Sequence, residues 1–257
     1  MLIEYDGTQY HGFQWQVGLP TIQSELEQAI RRLFGRSSRV MAASRTDAGV
    51  HAKGQVVSFW AKSTFNTMTI VKALNYYLPG DIAVKAAYRT SDDFNVRRNA
   101  SSRKYHYYIL NSNTRSPFSQ RYALLVPKML NIQVMNEACQ LLLGEHDFAS
   151  FISSLDDNRS TLRNVYEAVI DDAITCPLSS GERNKQRFVI FHIVANSFLP
   201  HQIRSTVGLL IRLGLNNIGI EDFHDIMEAR SLGLAGPVAP ACGLCLMNVN
   251  YPTPLGS

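Results

Sequence analysis

Apolar residues recur at helical spacing in several segments of the chain. The pattern is clearest in "TIQSELEQAIRRLF", residues 21–34, where Thr21 is suited to cap the start of a helix and Gly35 to end it. The further segments with this spacing are residues 67–78, 132–143, 202–213 and 220–229. The pattern therefore predicts amphipathic helices distributed over the whole chain.

Runs rich in β-branched and aromatic residues lie between these helices and predict strands. They are residues 54–60 and 82–88 in the first half, and 102–110, 161–171, 187–199 and 243–251 in the second. Each half then approximates the order β-α-β-β-α-β, or an open variant of it, which gives an antiparallel sheet with helices on one face. We predict an α+β fold of two ferredoxin-like lobes with an active-site cleft between them.

The boundary between the lobes is predicted in "RRNASSR", residues 97–103, which is polar, basic and without apolar periodicity. The first lobe is then residues 1–98 and the second residues 99–257.

Composition narrows the class of protein. At 46% hydrophobic residues in 257, the chain can bury a sizeable core, and no run of 18 apolar residues predicts a membrane span. The first residues lack the basic and apolar regions of a secretion signal. Four cysteines, at 139, 176, 242 and 245, do not suggest a disulfide framework in so long a chain. We therefore predict a cytoplasmic protein with no membrane partner.

Positive charge is locally dense although the net charge is only +4. Arginines cluster at 31, 32, 36 and 39, and basic residues again at 97, 98, 103 and 104. Such clusters can contact the phosphates of a nucleic acid, or they can simply be solvated faces. Charge alone favours the second interpretation.

Asp47 lies in "AASRTDAGVHAKGQVVSFW", residues 42–60, between an arginine and a small-residue turn. One interpretation is a hairpin turn in which the aspartate bonds its own backbone. The other is an ionised carboxylate, held by a cation such as Arg45 and used as a nucleophile or base.

Aromatic and basic residues alternate in "SSRKYHYYILN", residues 101–111. In a strand Tyr105 and Tyr107 share one face, and Lys104 and His106 the other. Aromatics beside basic residues can stack on bases and pair with phosphates, but tyrosine-rich strands are also ordinary sheet material. Tyr105 is the main candidate because it directly follows Arg103 and Lys104.

Arg204 falls in the first turn of the helix predicted after "NSFLPH". A cation there opposes the helix dipole. This suggests a carboxylate or phosphate partner, although an ordinary surface arginine fits equally well.

No metal or nucleotide site is predicted. "CGLC", residues 242–245, has no second Cys or His pair at ligand spacing, and strand residues three apart face opposite sides. The seven histidines are scattered, and neither G-x-G-x-x-G nor a P-loop motif occurs.

Taken together, these motifs resemble the tRNA pseudouridine synthase A family. The matching segments follow the family's order over nearly the whole length, and "RTDAGVH" is the most specific part of them. They are "IEYDGTQYHGFQ", "SRTDAGVHAKGQVVSF", "LNYYLPGDIAV", "DDFNVRRNASSRKYHYYI", "LLGEHDFASF" and "GLCLMNVNY".

The resemblance implies an enzyme that isomerises uridine to pseudouridine at positions 38–40 of the tRNA anticodon arm, without cofactor or metal. It implies a homodimer that holds tRNA across both subunits. By motif, Asp47 is the catalytic aspartate, Tyr105 stacks on the uracil and Arg204 pairs with the catalytic carboxylate. Arg45 matches the arginine associated with displacing the target base, which must leave its stack before reaction.

The chemistry suits these residue types, because the uracil must leave carbon 1′ of ribose, rotate and reattach through its carbon 5. Asp47 can attack carbon 1′, attack the ring, or remove a ribose proton, and the sequence does not choose among these routes. The alternative function is a tRNA-binding or folding module without catalysis. A hydrolase with two acids is a weaker rival, since no motif places a second carboxylate beside Asp47.

Overall fold

Helices and strands alternate along the chain, and the computed structural model describes them over residues 1–62, 64–154, 160–173 and 186–256. Within these ranges no helix has the length and hydropathy needed to cross a bilayer. The predicted cytoplasmic location stays a prediction. The chain divides into a first unit, Met1–Arg103 with Cys245–Ser257, and a second unit, Lys104–Leu244.

The first unit has the order β-α-β-β-α-β with one further strand from the end of the chain. Its elements are β1 (Leu2–Tyr5), α1 (Ile22–Phe34), β2 (Met41–Ala42), β3 (His51–Ser58), α2 (Thr67–Tyr77), β4 (Ile82–Ala86) and β10 (Leu244–Asn250). β1 lies between β3 and β4 and is antiparallel to both. β2 pairs antiparallel with one end of β3, and β10 pairs parallel with the other. This is a ferredoxin-like sheet whose second strand is very short.

Local sequence accounts for the start and end of α1. The Thr21 hydroxyl accepts from the backbone N–H of Ser24, and the Ser24 hydroxyl accepts from the backbone N–H of Thr21. The two bonds form a capping box. At the other end Gly35 takes the left-handed conformation, φ 69°, and donates to the carbonyl of Arg31. Between them Ile22, Leu26 and Ile30 are buried, as their spacing predicts.

The second unit follows the same plan in an open form. Its elements are β5 (Ser102–Asn111), β6 (Leu124–Val126), α3 (Ile132–Leu141), β7 (Gly144–Asp147), β8 (Leu162–Ala173), β9 (Phe188–Ala195), α4 (Gln202–Gly214) and α5 (Ile220–Glu228). The strands are ordered β5-β9-β8-β7, with β6 parallel to β5. The β7/β8 and β8/β9 pairs are antiparallel.

One asparagine in each unit ties a helix to a sheet edge. Asn75 of α2 donates to the carbonyl of Val84 and accepts from its N–H, at 2.9 and 2.7 Å. Asn136 of α3 bonds Ile170 of β8 in the same way, at 2.9 and 2.8 Å. A strand edge otherwise presents unpaired backbone groups. These asparagine amides form hydrogen bonds with such groups and fix each helix on its sheet.

The predicted α+β class and ferredoxin-like order are confirmed, and every predicted helix is present within two residues of its expected bounds. The apolar pattern did not predict β1, β2, β6 or β7, and it did not predict the two parallel pairings. β2 and β6 are too short for a periodic pattern, and "GEHD" in β7 has no apolar alternation. Packing units need not coincide with lobes, so the boundary at residue 98 stays a prediction.

Candidate active site

Asp47 lies in residues 43–50, the segment that joins β2 to β3 in the first unit. Its carbonyl accepts from the N–H of Val50 at 3.2 Å and closes a four-residue turn. Gly49, at the third position, has φ 77°, which is the requirement of a type II turn. The turn depends on backbone bonds, and it carries the Asp47 side chain half-buried at its first position.

Two polar side chains in the first unit's sheet hold the segment just before Asp47. Gln55 of β3, fully buried, donates to the carbonyl of Ser44 at 2.6 Å and accepts from its N–H at 3.3 Å. The Tyr5 hydroxyl lies 2.8 Å from the Thr46 hydroxyl, and both residues are buried. Buried polar groups with matched partners permit little rearrangement, so these contacts fix the approach to Asp47.

A second loop of the first unit packs against the Asp47 turn. The carbonyl of Tyr10 accepts from Gly49 at 3.2 Å, and Phe13 donates to the carbonyl of Thr46 at 3.0 Å. Gly12 has φ 86°, and a Cβ added there would lie 2.7 Å from the Thr46 oxygen. Only glycine allows this approach without displacement.

Tyr10 anchors that loop at its other side. Its hydroxyl donates to Oδ1 of Asp81 at 2.6 Å. Burial, and then the bond to Asp81, raise the pKa of the Tyr10 phenol, so it stays protonated and remains a donor. The loop is therefore fastened to the start of β4 as well as to the Asp47 turn.

Arg45 is exposed, two residues before Asp47. It lines a surface pocket of the first unit together with Arg39, Arg97 and Arg98. The sequence placed Arg45 beside Asp47 but did not predict that it shares a pocket with arginines from both basic clusters.

Tyr105 lies on β5 in the second unit and is 3% exposed. Its ring meets that of Phe198 edge-on, with centroids 5.4 Å apart at 87°. Edge-to-face packing is a favoured aromatic geometry and holds the Tyr105 ring in one orientation.

Arg204 is the third residue of α4 and is half-buried. Its Nε donates to the carbonyl of Ala239 at 2.8 Å, and its own carbonyl accepts from the N–H of Ala239 at 3.0 Å. His201, before the helix, has φ 61°, an unusual conformation for a residue with a side chain. Ala239 thus fixes the backbone and the base of the guanidinium group together.

Residues 239–240, the segment that bonds Arg204, also bond the Tyr107 side chain. The Tyr107 hydroxyl donates to the carbonyl of Pro240 at 2.7 Å, and burial raises the pKa of this phenol above its ordinary value. Tyr107 therefore acts as a protonated donor that packs β5 against the 239–240 segment within the second unit.

Among the described residues, no group of three or more His, Cys, Asp or Glu side chains is arranged to hold a metal ion. Burial raises the pKa of the Cys245 thiol to about 12 and also raises that of Cys242. Metal ligation requires thiolates, and burial opposes their formation here.

Comparison of the sequence with known proteins identifies the family. A family model described as tRNA pseudouridine synthase matches residues 1–97 and 138–252. The chain belongs to the tRNA pseudouridine synthase family. Asp47, Arg45 and Arg204 fall within the ranges matched by the synthase model, whereas Tyr105 falls between them.

Curated synthases are similar to this chain over almost its full length. A tRNA pseudouridine synthase A of Roseiflexus castenholzii is 40% identical over 250 residues, which is 97% of this chain and 89% of the relative. Proteins of the same name from Borrelia duttonii and Thermoanaerobacter sp. (strain X514) are each 36% identical. These alignments cover 97% and 98% of this chain, and the same shares of those relatives.

The predicted site residues of this synthase divide equally between the units, with Asp47 and Arg45 in the first and Tyr105 and Arg204 in the second. The sequence missed the residues that hold the Asp47 segment, namely Gln55, Tyr5 and Gly12. One signal was present, since Gln55 is an amide directly before the apolar pair Val56-Val57 in a predicted strand. The other two act through folding partners distant in sequence.

Proposed function

We propose that the protein isomerises uridine to pseudouridine in the anticodon arm of tRNA, at positions 38–40, without a cofactor. The observation that carries this proposal is the similarity to curated synthases over nearly the whole chain, combined with a half-buried Asp47 on a turn that backbone bonds close. A general tRNA-binding module needs basic and aromatic groups, but it has no use for a carboxylate positioned so closely.

Asp47 is the proposed catalytic residue, and it must be ionised to act as a nucleophile or base. In the reaction the bond from carbon 1′ to N1 breaks and the bond from carbon 1′ to carbon 5 forms. Carbon 5 loses its proton and N1 gains one, so the product is an isomer and no electrons are exchanged. The hydrogen bonds of Gln55 to Ser44 and the close packing of Gly12 against Thr46 hold the Asp47 segment in place while the base rotates.

The other proposed residues bind the substrate. Tyr105 stacks on the uracil and shields the detached base from water, which its fixed ring orientation supports. Arg45, exposed beside Asp47, takes part in displacing the target base from its stack. Arg204, held by Ala239, provides a positioned cation.

Tritium release tests the proposed reaction, because every turnover removes the hydrogen from carbon 5. We expect the wild-type protein to release tritium from tRNA transcripts labelled at carbon 5 of uracil. Transcripts with cytidine at positions 38, 39 and 40 together should release none. Release that persists from those transcripts would place the reaction at a uridine other than positions 38–40 and would contradict the proposal. Binding of tRNA without any release would favour the binding module.

We further propose a homodimer that holds tRNA across both subunits. The helix α2 supports a protein partner, since it buries only Leu74 and leaves Met68 and Tyr76 67% and 83% exposed. Sedimentation equilibrium at micromolar concentration should give twice the chain mass of 28.8 kDa. A Tyr76→Glu variant should shift the mass toward that of one chain. A wild-type monomer at this concentration would contradict the proposal.

A further inference from the structure

The arginine pocket of the first unit, with a volume of about 310 Å³, collects cations from three separate segments. Arg39 precedes β2, Arg45 lies in the Asp47 segment, and Arg97 and Arg98 lie in the 95–98 turn. Gln14 adds a polar edge, and none of the residues that line it in the described part of the chain is acidic. Members of both basic clusters of the sequence, Arg39 from the first and Arg97 and Arg98 from the second, therefore meet in one concave surface.

A buried arginine fastens the walls of this pocket to each other. Arg103 is 5% exposed, and its guanidinium group donates to the carbonyl of Arg97 at 2.7 Å and to that of Ala43 at 3.1 Å. It also bonds the carbonyl of Ala100 at 3.1 Å. Ala43 belongs to the Asp47 segment, so Arg103 joins that segment to the 95–98 turn. Direct hydrogen bonds therefore join two of the segments that line the pocket.

The 95–98 turn directs its arginine side chains to the surface. Val96 is fully buried, and its carbonyl accepts from the Tyr251 hydroxyl at 2.7 Å. Oδ1 of Asn95 accepts from the N–H groups of Arg97 and Arg98, each at 3.0 Å. Because those amides are used, an anion in the pocket would meet guanidinium groups rather than backbone N–H groups.

Glu27 lies close enough to compete for Arg39. Oε1 of Glu27 lies 3.8 Å from Nε of Arg39, whose side chain is 63% exposed. Glu27 also accepts from Val40 N–H at 2.9 Å and from Gln23 at 2.7 Å. Exposed pairs of this length are weak, and these other donors already engage the carboxylate. The Arg39 guanidinium group can therefore exchange Glu27 for a phosphate that binds it more strongly.

We propose that the arginine pocket binds backbone phosphates of the tRNA strand beside the nucleotide on which Asp47 acts. Guanidinium groups match phosphate oxygens in bidentate geometry, and backbone phosphates carry most of the affinity in nucleic-acid binding. Arg45 lines the pocket and is two residues from Asp47, a chain span of at most about 7 Å. The phosphate site thus adjoins the catalytic segment. The identity of the ligand rests on the proposed function.

Salt dependence of tRNA binding tests the pocket. We expect an Arg97→Gln/Arg98→Gln variant to bind tRNA about tenfold or more weakly, and the slope of log K against log salt to fall by about 1 to 2. The loss should be equal for tRNAs of different anticodon sequence, because phosphates carry no sequence information. The turnover number at saturating tRNA should stay within about threefold, since the pocket does not contact the reacting atoms.

A matched control comes from the exposed end of α1. Arg31→Gln/Arg32→Gln removes the same charge from exposed residues that do not line the pocket, and its affinity should stay within about twofold. An Arg39→Gln variant changes a different wall and should lower the slope by about 1. Equal losses in the pocket and control variants would overturn the proposal, because a diffuse field would then account for binding. Unchanged binding in the pocket variants would also overturn it.

Two further measures separate binding from reaction, and RNA phosphates from a small anion. Binding is measured in the Asp47→Ala background, so a failure of the proposed reaction leaves the phosphate test intact. Inorganic phosphate at about 1 mM should neither bind measurably by calorimetry nor displace tRNA, since a single phosphate gains too few contacts. Tight, pocket-dependent binding of inorganic phosphate would instead assign the pocket to a small anion and overturn the RNA proposal.

Discussion

We expect the Asp47→Ala variant to lose pseudouridine formation by at least about 1,000-fold, because a methyl group can act neither as nucleophile nor as base. Its affinity for tRNA should stay within about tenfold, since phosphate contacts supply most of the binding free energy. Tritium release from carbon 5 and filter binding, on the same preparation, measure the two quantities.

The fold should survive this substitution. The turn at Asp47 is closed by backbone bonds, from Val50 to the Asp47 carbonyl and from Gly49 to Tyr10. The Gln55 amide forms its hydrogen bonds with the backbone of Ser44 and not with the Asp47 carboxylate in these two contacts. None of these three contacts requires the Asp47 side chain, so the melting temperature should change by only a few degrees.

Two controls make the result specific. Asp225→Ala removes a carboxylate that is 83% exposed on α5 and should leave tritium release and binding unchanged. Asp47→Asn keeps the size of the side chain but removes its charge, so it should be as inactive as the alanine variant. If Asp47→Ala lost activity, binding and thermal stability together, the residue would be structural and the assigned chemistry would be wrong.

The sequence predicted those features that local chemistry determines. The ends of α1 are set by its caps, Thr21 and Gly35, because capping and left-handed glycine are properties of a few adjacent residues. Asp47 was recognised because its turn and its motif lie within one short segment. Strand order and the support of Asp47 required contacts between residues far apart in the chain.

The arginines illustrate the limit most clearly. Charge density in the sequence did not separate a phosphate site from a solvated face, and Arg31 and Arg39 looked equivalent there. In the structure Arg39 lines a pocket with Arg97 and Arg98, whereas Arg31 does not. Arg103 contributes to the pocket, because its buried bonds to Ala43 and Arg97 join segments that are far apart in the sequence. Tertiary placement, not composition, therefore distinguishes Arg39 from Arg31 within one cluster.

The second large effect is expected at Gly12, which touches no substrate in the proposed reaction. A Cβ at this position would lie 2.7 Å from the Thr46 oxygen, 3.1 Å from the Asp47 carbonyl carbon and 3.2 Å from the Ala48 nitrogen. These are backbone atoms and cannot rotate away as a flexible side chain would. Gly12→Ala must therefore displace the Asp47 turn or its own loop.

We expect Gly12→Ala to reduce the turnover number about 100-fold, since a shift of about 1 Å in a catalytic group has that order of effect. The affinity for tRNA should fall by less than about threefold, because the arginine side chains are unchanged. Stability should fall by about 1–3 kcal/mol, from a positive φ and a close contact. Single-turnover kinetics and thermal unfolding measure these quantities.

Gly18 in the same loop provides the matched control. Its φ is 72°, so alanine there suffers similar backbone strain, but within the described residues no heavy atom outside its chain neighbours lies within 4 Å of an added Cβ. Gly18→Ala should lose about 1 kcal/mol of stability and keep its turnover number within about twofold. The difference between the variants isolates the approach of Gly12 to the Asp47 turn. If the Gly12→Ala and Gly18→Ala variants lost only stability, and to the same extent, the loop would not position Asp47. The contacts of Gln55 with Ser44 and of Tyr5 with Thr46 would then be sufficient to position it.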